Sequence, residues 1–334
     1  NPDCYVQELV NQGKSLEDAR EGGCSGCIEV GAFGKEAYVL TGYLNTPKIL
    51  EITLNNGWDP NSGKKLGLET GDPRTFTSYE QLYEAYHKQM LHFVNLKLSV
   101  NNYIERMFAL YAPATFLSLF IDDCITKGKD YYNGGARYNT TYIQCTGLGT
   151  TTDCFATIKK HVFEDKRYTM DELLTAVAAN FEGHEKMRQY IMNRTPFFGN
   201  DDEYADTIAV KVYEDLVKAI KGHPNTRGGE TQLNMLSTTC HNYFGSVCHA
   251  TPNGRLAHFA ISDGTSPAHG ADTNGPTSVI KSLGKLDQTQ SGGTLLNMRF
   301  IPALLKREED LDKLVSLIRA YFKMGGHHVQ LDRK

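Results

Sequence analysis

The chain has 334 residues, 40% of them hydrophobic, which is enough to bury the core of one large domain or two. A formal net charge of -4 and the lack of any Lys/Arg run argue against nucleic acid and anionic membrane as partners. No apolar stretch of about 18 residues and no charged-apolar-cleavage pattern occurs, so nothing in the sequence calls for a membrane span or for secretion.

The eight cysteines, at 4, 24, 27, 124, 145, 154, 240 and 248, have no framework spacing and suit a reducing compartment. The protein is therefore expected to be cytoplasmic, and the sequons at Asn139 and Asn193 to be chance matches. A start at Asn1 and a stop at Lys334 just after an apolar segment read as a fragment.

In chain order, Ser15-Leu16-Glu17-Asp18 opens a short helix with an N-cap residue and first-turn acids. It delivers the chain into Gly22-Gly23-Cys24-Ser25-Gly26-Cys27-Ile28-Glu29-Val30-Gly31-Ala32-Phe33-Gly34, too glycine-rich for regular helix or central strand and so a loop. Segment 48–54 has helical apolar spacing and stops at Asn55-Asn56-Gly57, and 60–76 is a surface connection. Ser78-Tyr79-Glu80-Gln81 is a capping box opening a helix to about Tyr111, with Leu82, Tyr86, Met90, Phe93, Leu96 and Leu98 on its apolar side.

The apolar run 116–121 reads as a buried strand, and a second strand falls near Tyr142-Ile143-Gln144-Cys145. Gly147-Leu148-Gly149 lacks the ending of a phosphate loop and reads as a turn before a helix from about Thr152. A capping box at Thr169-Met170-Asp171-Glu172 opens a helix expected to reach Met192, and the acids of 200–203 start another. Segment 224–230 is a loop, and 233–244 returns to the interior. Residues 251–276 lack any period, which for so long a segment points to function or tight packing. Helix 276–286, a strand near 294–300, helix 307–324 and a strand near 327–331 close the chain. This alternation predicts an α/β fold with mainly parallel strands.

Chemistry concentrates on the glycine-rich loop, and its residues admit three readings. Cys24-x-x-Cys27 could be a redox pair, although such pairs normally open a helix after a strand. It could be half of a zinc site, but no second CxxC or HxxxH follows at ligand spacing. The third reading is a single working cysteine, Cys27, with Glu29 as its acid or base; a lone buried cysteine would be the bland alternative, and the neighbouring carboxylate weighs against it. His241, His249 and the pair His327-His328 are assigned to packing or surface roles, since adjacent residues on a strand face opposite ways, and no metal site is expected.

Ser25-Gly26-Cys27-Ile28-Glu29, followed by Gly31-Ala32-Phe33-Gly34-Lys35-Glu36, resembles the thiyl-radical loop of glycyl radical enzymes of the pyruvate formate-lyase-like superfamily, in the dehydratase and lyase branch that has Cys-x-Glu. Further landmarks follow in the family's order: 122–124, 134–139, 198–202, 251–256, 263–267 and 275–277. The resemblance is strongest to the members that dehydrate hydroxyproline. It implies a ten-stranded α/β barrel built of two five-stranded parallel halves around the cysteine loop, of which residues 1–334 would be one domain supplying the second half.

It also implies the chemistry: hydrogen abstraction from trans-4-hydroxy-L-proline by a Cys27 thiyl, proton transfer by Glu29, and release of water and 1-pyrroline-5-carboxylate. Tyr43 and Thr238 match substrate-contacting positions, although on residue grounds alone Tyr43 serves equally as a core aromatic and Thr238 as a strand residue. No bound cofactor is implied. The oxidant would be a protein glycyl radical installed by a radical-S-adenosylmethionine activating enzyme, and the assembly a homodimer. The Arg-Val-x-Gly-Tyr motif that carries the radical glycine is missing, so the glycine radical domain is expected to be absent and the chain alone inactive. Propanediol or glycerol dehydration, choline C–N cleavage, arylacetate decarboxylation and a noncatalytic remnant remain as alternatives.

Overall fold

A computed structural model describes residues 1–25 and 27–333; Gly26 of the cysteine motif lies outside the described residues. Among the described residues there are nine strands: β1 (Gly23–Cys24), β2 (Val30–Gly31), β3 (Glu36–Asn45), β4 (Trp58–Asp59), β5 (Lys64–Lys65), β6 (Tyr138–Thr146), β7 (Thr231–Asn234), β8 (Leu295–Phe300) and β9 (His328–Arg333). β3, β6 and β7 form a parallel sheet in that order, and β8 and β9 pair in parallel beside it. A parallel bridge from Met235 to Thr294 joins the two, with Met235 N–H donating to Gly293 O at 2.9 Å and Leu295 N–H to Met235 O at 3.1 Å. The result is a five-strand parallel wall, as the alternation of apolar runs and helices predicts.

Every crossover between successive wall strands carries helix. The longest are Tyr79–Tyr111, between β3 and β6, and Glu203–Ile220, between β6 and β7. Ile143 and Cys145 of β6, Leu233 of β7 and Leu296 of β8 join the main core with helix residues such as Tyr86, Phe155, Val212 and Leu216. Since side chains alternate along a strand, the other face of the wall is presented by Tyr142 and Gln144 on β6 and by Asn234 on β7.

Most element signals hold. Ser15 accepts from Asp18 N–H, and Thr169 and Glu172 make both bonds of a capping box. Of the box at residues 78–81, Ser78 accepts from Gln81 N–H, whereas Gln81 Oε1 reaches back to Thr77 N–H at 2.8 Å. The helix expected from Thr152 begins at Leu148, set by Gly147 at φ 99. Along helix Tyr79–Tyr111, Leu82, Tyr86, Met90 and Leu98 are buried, whereas Leu96 is exposed.

Two expectations fail. Segment 116–121 is no strand: its bonds close helical turns, Ser118 N–H to Ala114 O, Leu119 N–H to Phe116 O and Phe120 N–H to Leu117 O, and Phe116, Leu117, Leu119 and Phe120 are exposed. An unbroken apolar run carries no period, so it cannot tell a strand from a helical turn. The helix from Met170 stops at Ala178 and a second runs over Glu185–Arg194. Between them Asn180 adopts φ 53, Phe181 N–H bonds Ala176 O at 2.7 Å and Asn180 N–H bonds Val177 O at 3.0 Å. This is a Schellman stop with asparagine in place of the usual glycine, and Phe181 is then buried in the core.

Two buried ion pairs brace the wall. Arg227 donates to Ala37 O at 2.8 Å and Thr140 O at 2.7 Å while pairing with Glu105 at 3.3 Å. Lys14 meets Glu36 at 3.0 Å with both side chains all but fully buried, and burial holds the Lys14 ammonium below its usual range. Glu36 also accepts from Ala32 N–H at 2.8 Å and from the Thr140 hydroxyl, so it ties the far end of the cysteine loop to β6. Removing one member strands the other charge in the interior. Glu36→Gln is therefore expected to destabilise the fold by about 3–5 kcal/mol, and Glu36→Gln combined with Lys14→Met to recover part of that loss in a thermal-unfolding cycle.

Candidate active site

The cysteine loop folds as a narrow hairpin. β1 and β2 pair antiparallel, Gly23 with Gly31 and Cys24 with Val30, and Ser25 N–H bonds Glu29 O at 2.8 Å, so Cys27 sits at the tip. The hairpin lies against the inner face of the wall. Tyr142 donates its hydroxyl to Val30 O at 2.6 Å, Val30 N–H bonds Gly292 O at 3.3 Å, and Ile28 packs with Leu236 and Leu295.

Two glycines make the approach possible. A β-carbon on Gly292 would fall 2.0 Å from the Tyr142 ring, and one on Gly293, at φ 129, would fall 2.3 Å from Ile28 O. Sequence reading misses both, as it does Gln144 and Asn234. Gln144 was within reach: a polar residue in the strand run Tyr142-Ile143-Gln144-Cys145 marks a face that does not meet the helices.

Glu29 is 2% exposed. Its Oε2 accepts from the Ser25 hydroxyl at 3.1 Å and its Oε1 from Gln144 Nε2 at 3.3 Å, which fixes both carboxylate oxygens. Gln144 is flanked in register by Tyr43 on β3 and Asn234 on β7, giving one polar row across three strands. The Tyr43 hydroxyl lies 2.8 Å from Thr238 Oγ1, and its ring meets Phe244 edge-on at 6.3 Å. Burial raises the Tyr43 phenol above its usual range, with smaller upward contributions from Cys240 and Cys27 and a downward one from Thr238.

Thr238 is not a strand residue. It lies in the turn after β7, at φ 50, before helix Cys240–Ser246. A β-branched residue in the left-handed region is strained, and such strain gathers at functional sites. The structure thus brings Glu29, Gln144, Tyr43 and Thr238 to one face, with Cys27 on the hairpin beside them.

The surroundings of the two loop thiols do not favour the thiolate that a redox pair uses. The Cys27 thiol is pushed up, first by partial desolvation and then by Glu29, and Cys24 is pushed up to about 12 by burial, Glu29 and Glu8. A redox CxxC needs the opposite shift. Neither thiol belongs to a cluster of metal-ligating side chains among the described residues, and all eight cysteines are free. A neutral thiol next to a fixed carboxylate instead suits hydrogen-atom exchange at sulfur with proton transfer close by. The more enclosed surface cleft, about 180 Å³ and lined by Pro47, Leu54, Leu174 and Pro252, touches none of these residues. The hydrogen-bonded side chains, and not that cleft, define the site.

A parallel wall with a cysteine hairpin on its polar face fits the glycyl radical enzyme architecture that the sequence resemblance implies. The pyruvate formate lyase-like family profile matches residues 1–245 and the glycine radical profile matches residues 261–333, and the chain belongs to this family. The second profile starts inside this chain, while the sequence contains no Arg-Val-x-Gly-Tyr run.

Among relatives, the chain is 53% identical over 332 residues to trans-4-hydroxy-L-proline dehydratase of Clostridioides difficile, covering 99% of this chain and 42% of that protein. It is 34% identical to (2S)-3-sulfopropanediol dehydratase of Klebsiella oxytoca, covering 98% of this chain and 40% of that protein. It superposes with a TM-score of 0.98 on the crystal structure of the Clostridioides difficile hydroxyproline dehydratase with trans-4-hydroxy-L-proline bound, covering 100% of this chain and 42% of that one. With the glycerol-bound glycerol dehydratase of Clostridium butyricum the TM-score is 0.94 at 35% identity, covering 100% of this chain and 42% of that one. The chain thus spans about two fifths of the length of the relatives it matches. No helix among the described residues is long and apolar enough to cross a membrane.

Two outcomes follow. Gly293→Ala should unseat the hairpin, lowering stability by about 1–3 kcal/mol and exposing Glu29, read by thermal unfolding and by hydrogen exchange of residues 23–31. A raised thiol pKa leaves less thiolate at any given pH. The pH profile for iodoacetamide labelling of Cys27, followed by peptide mass spectrometry, should therefore lie above that of an unfolded-chain cysteine. Glu29→Gln removes the second of the two causes and should move the profile part of the way back down.

Proposed function

We propose that the protein is a radical dehydratase that converts trans-4-hydroxy-L-proline to 1-pyrroline-5-carboxylate and water. In this reading residues 1–334 form a single barrel domain, whose five-strand wall is one half of a ten-stranded barrel. The observation that carries it is the placing of the Cys27 thiol and the buried Glu29 side chain on one hairpin, beside a polar row that ends at Tyr43 and Thr238. Similarity over almost the whole chain to an enzyme named for this substrate supports the choice of substrate.

A protein glycyl radical, installed by a radical-S-adenosylmethionine enzyme, supplies the one-electron oxidation of the Cys27 thiol. Cys27 Sγ then takes a hydrogen atom from the ring carbon beside nitrogen. Glu29, having taken a proton from the ring ammonium, gives it to the hydroxyl on the next carbon, the C–O bond breaks and water leaves. The remaining carbon radical takes its hydrogen atom back from the Cys27 S–H, leaving a C=N bond and Glu29 ionised again.

The Cys27 thiol must stay protonated between turnovers for this cycle to close, and desolvation and Glu29 both favour that form. Tyr43 offers a ring face to the ammonium and a hydroxyl, and Thr238 a second hydroxyl, to hold the amino acid in place. The resemblance further implies a homodimer.

The test is anaerobic assay of the activated whole protein against hydroxyproline, 1,2-propanediol, glycerol, choline and 4-hydroxyphenylacetate, of which hydroxyproline alone should be turned over efficiently. Cys27→Ala should abolish turnover, and Glu29→Gln should lower kcat by about 10²–10⁴. Tyr43→Phe should raise KM by about 3- to 10-fold, the equivalent of one hydrogen bond. Efficient turnover of another substrate, or of hydroxyproline by the Cys27→Ala protein, would reject the assignment.

A further inference from the structure

Three side chains from two segments converge: His241 on helix Cys240–Ser246, and Asp263 and His269 in the long stretch without regular structure. One ligand atom from each lies within 4.8 Å of the other two. Their chemistry is that of a two-histidine, one-carboxylate donor set. Their surroundings point the same way.

Asp263 is only 7% exposed, yet its Oδ1 has no hydrogen-bond partner among the described residues. A buried acceptor left unpaired costs free energy unless a group from outside these residues supplies the missing contact, and a cation would. His241 Nδ1 already faces Ser237 Oγ at 3.1 Å, the arrangement that orients a metal-ligating imidazole through its other nitrogen. The His241 and His269 rings stand edge to face, 5.9 Å apart at 80°, so both can turn a nitrogen to one point. His269 also lines an open cleft of about 510 Å³, which gives an ion and its waters a way in.

We propose that His241, Asp263 and His269 form a binding site for a divalent transition-metal ion of the zinc class, separate from the Cys27 hairpin. Two imidazoles and a carboxylate suit zinc or its neighbours better than magnesium or calcium, which favour all-oxygen shells. Tetrahedral zinc with bonds near 2.0–2.2 Å needs donor atoms about 3.3–3.5 Å apart, so the three atoms must close by little more than about 1 Å. The exposed His269 can supply that movement, and water completes the shell. The consequence is local: an ion on His241 would pin the turn from Ser237 to His241, which holds Thr238 in its left-handed conformation.

The experiment is an anaerobic titration of the full chain, under thiol-reducing conditions, with Co²⁺ as a spectroscopic probe, followed by displacement with Zn²⁺. One equivalent should bind with ligand-field bands and no thiolate-to-cobalt charge transfer. Binding should survive Cys24→Ser and Cys27→Ser. It should weaken by at least about tenfold in Ser237→Ala, and by more in the near-isosteric Asp263→Asn and in His269→Ala, a change on an exposed residue that leaves the fold intact. Absence of saturable binding would overturn the proposal. So would a site that shows thiolate charge transfer, or one that Asp263→Asn leaves unchanged.

Discussion

The cysteine hairpin can settle against the polar face of the wall only where the chain facing it carries no β-carbon to push it away. Gly292 and Gly293 meet this condition, and the backbone of the cysteine loop comes within contact of theirs. Everything said about the sulfur follows from that seat. It sets how deep Cys24 and Glu29 are buried, where Gln144 meets the carboxylate, and why both loop thiols favour the protonated form. The outgoing strand is held twice, by the Tyr142 hydroxyl on Val30 and by Glu36 on Ala32, which fixes where the chain leaves the tip.

The wall itself has to be polar on one face, which is unusual for parallel strands buried on both. Here the outer face is paid in apolar contacts with the helices, while the inner face keeps Tyr43, Gln144 and Asn234 in one row. Asn234 donates its amide N–H to Gly292 O at 3.2 Å, Gln144 donates to Glu29, and the Tyr43 and Thr238 hydroxyls share a hydrogen bond, so the row is bonded to the cysteine loop and to the turn after β7. A redox dithiol would need its surroundings to favour the thiolate. These surroundings favour S–H.

Much of this was legible in the residues. Caps at Ser15, Ser78 and Thr169 and the apolar periods behind them mark helix starts closely, because a capping side chain acts on its own backbone. The loop was legible from its glycines, and the placing of Cys27 and Glu29 together on it from their spacing. What escaped depends on contacts distant in sequence. Gly292 and Gly293 look like any turn until Tyr142 and Ile28 come against them. Thr238 gives no local sign of its left-handed backbone, and the stop at Asn180 needs Phe181 to find the core before it is preferred to a longer helix. Residues 116–121 were misread because apolar character without a period says nothing about shape.

The most direct measurement is an anaerobic crystal structure of the whole protein with trans-4-hydroxy-L-proline bound. The account predicts the ring carbon beside nitrogen in van der Waals contact with Cys27 Sγ, about 3.5–4.0 Å away, and the substrate hydroxyl about 2.6–3.2 Å from a Glu29 oxygen, directly or through one water. A substrate seated with its hydroxyl turned from Glu29, or with its ring out of reach of Cys27 Sγ, would contradict it.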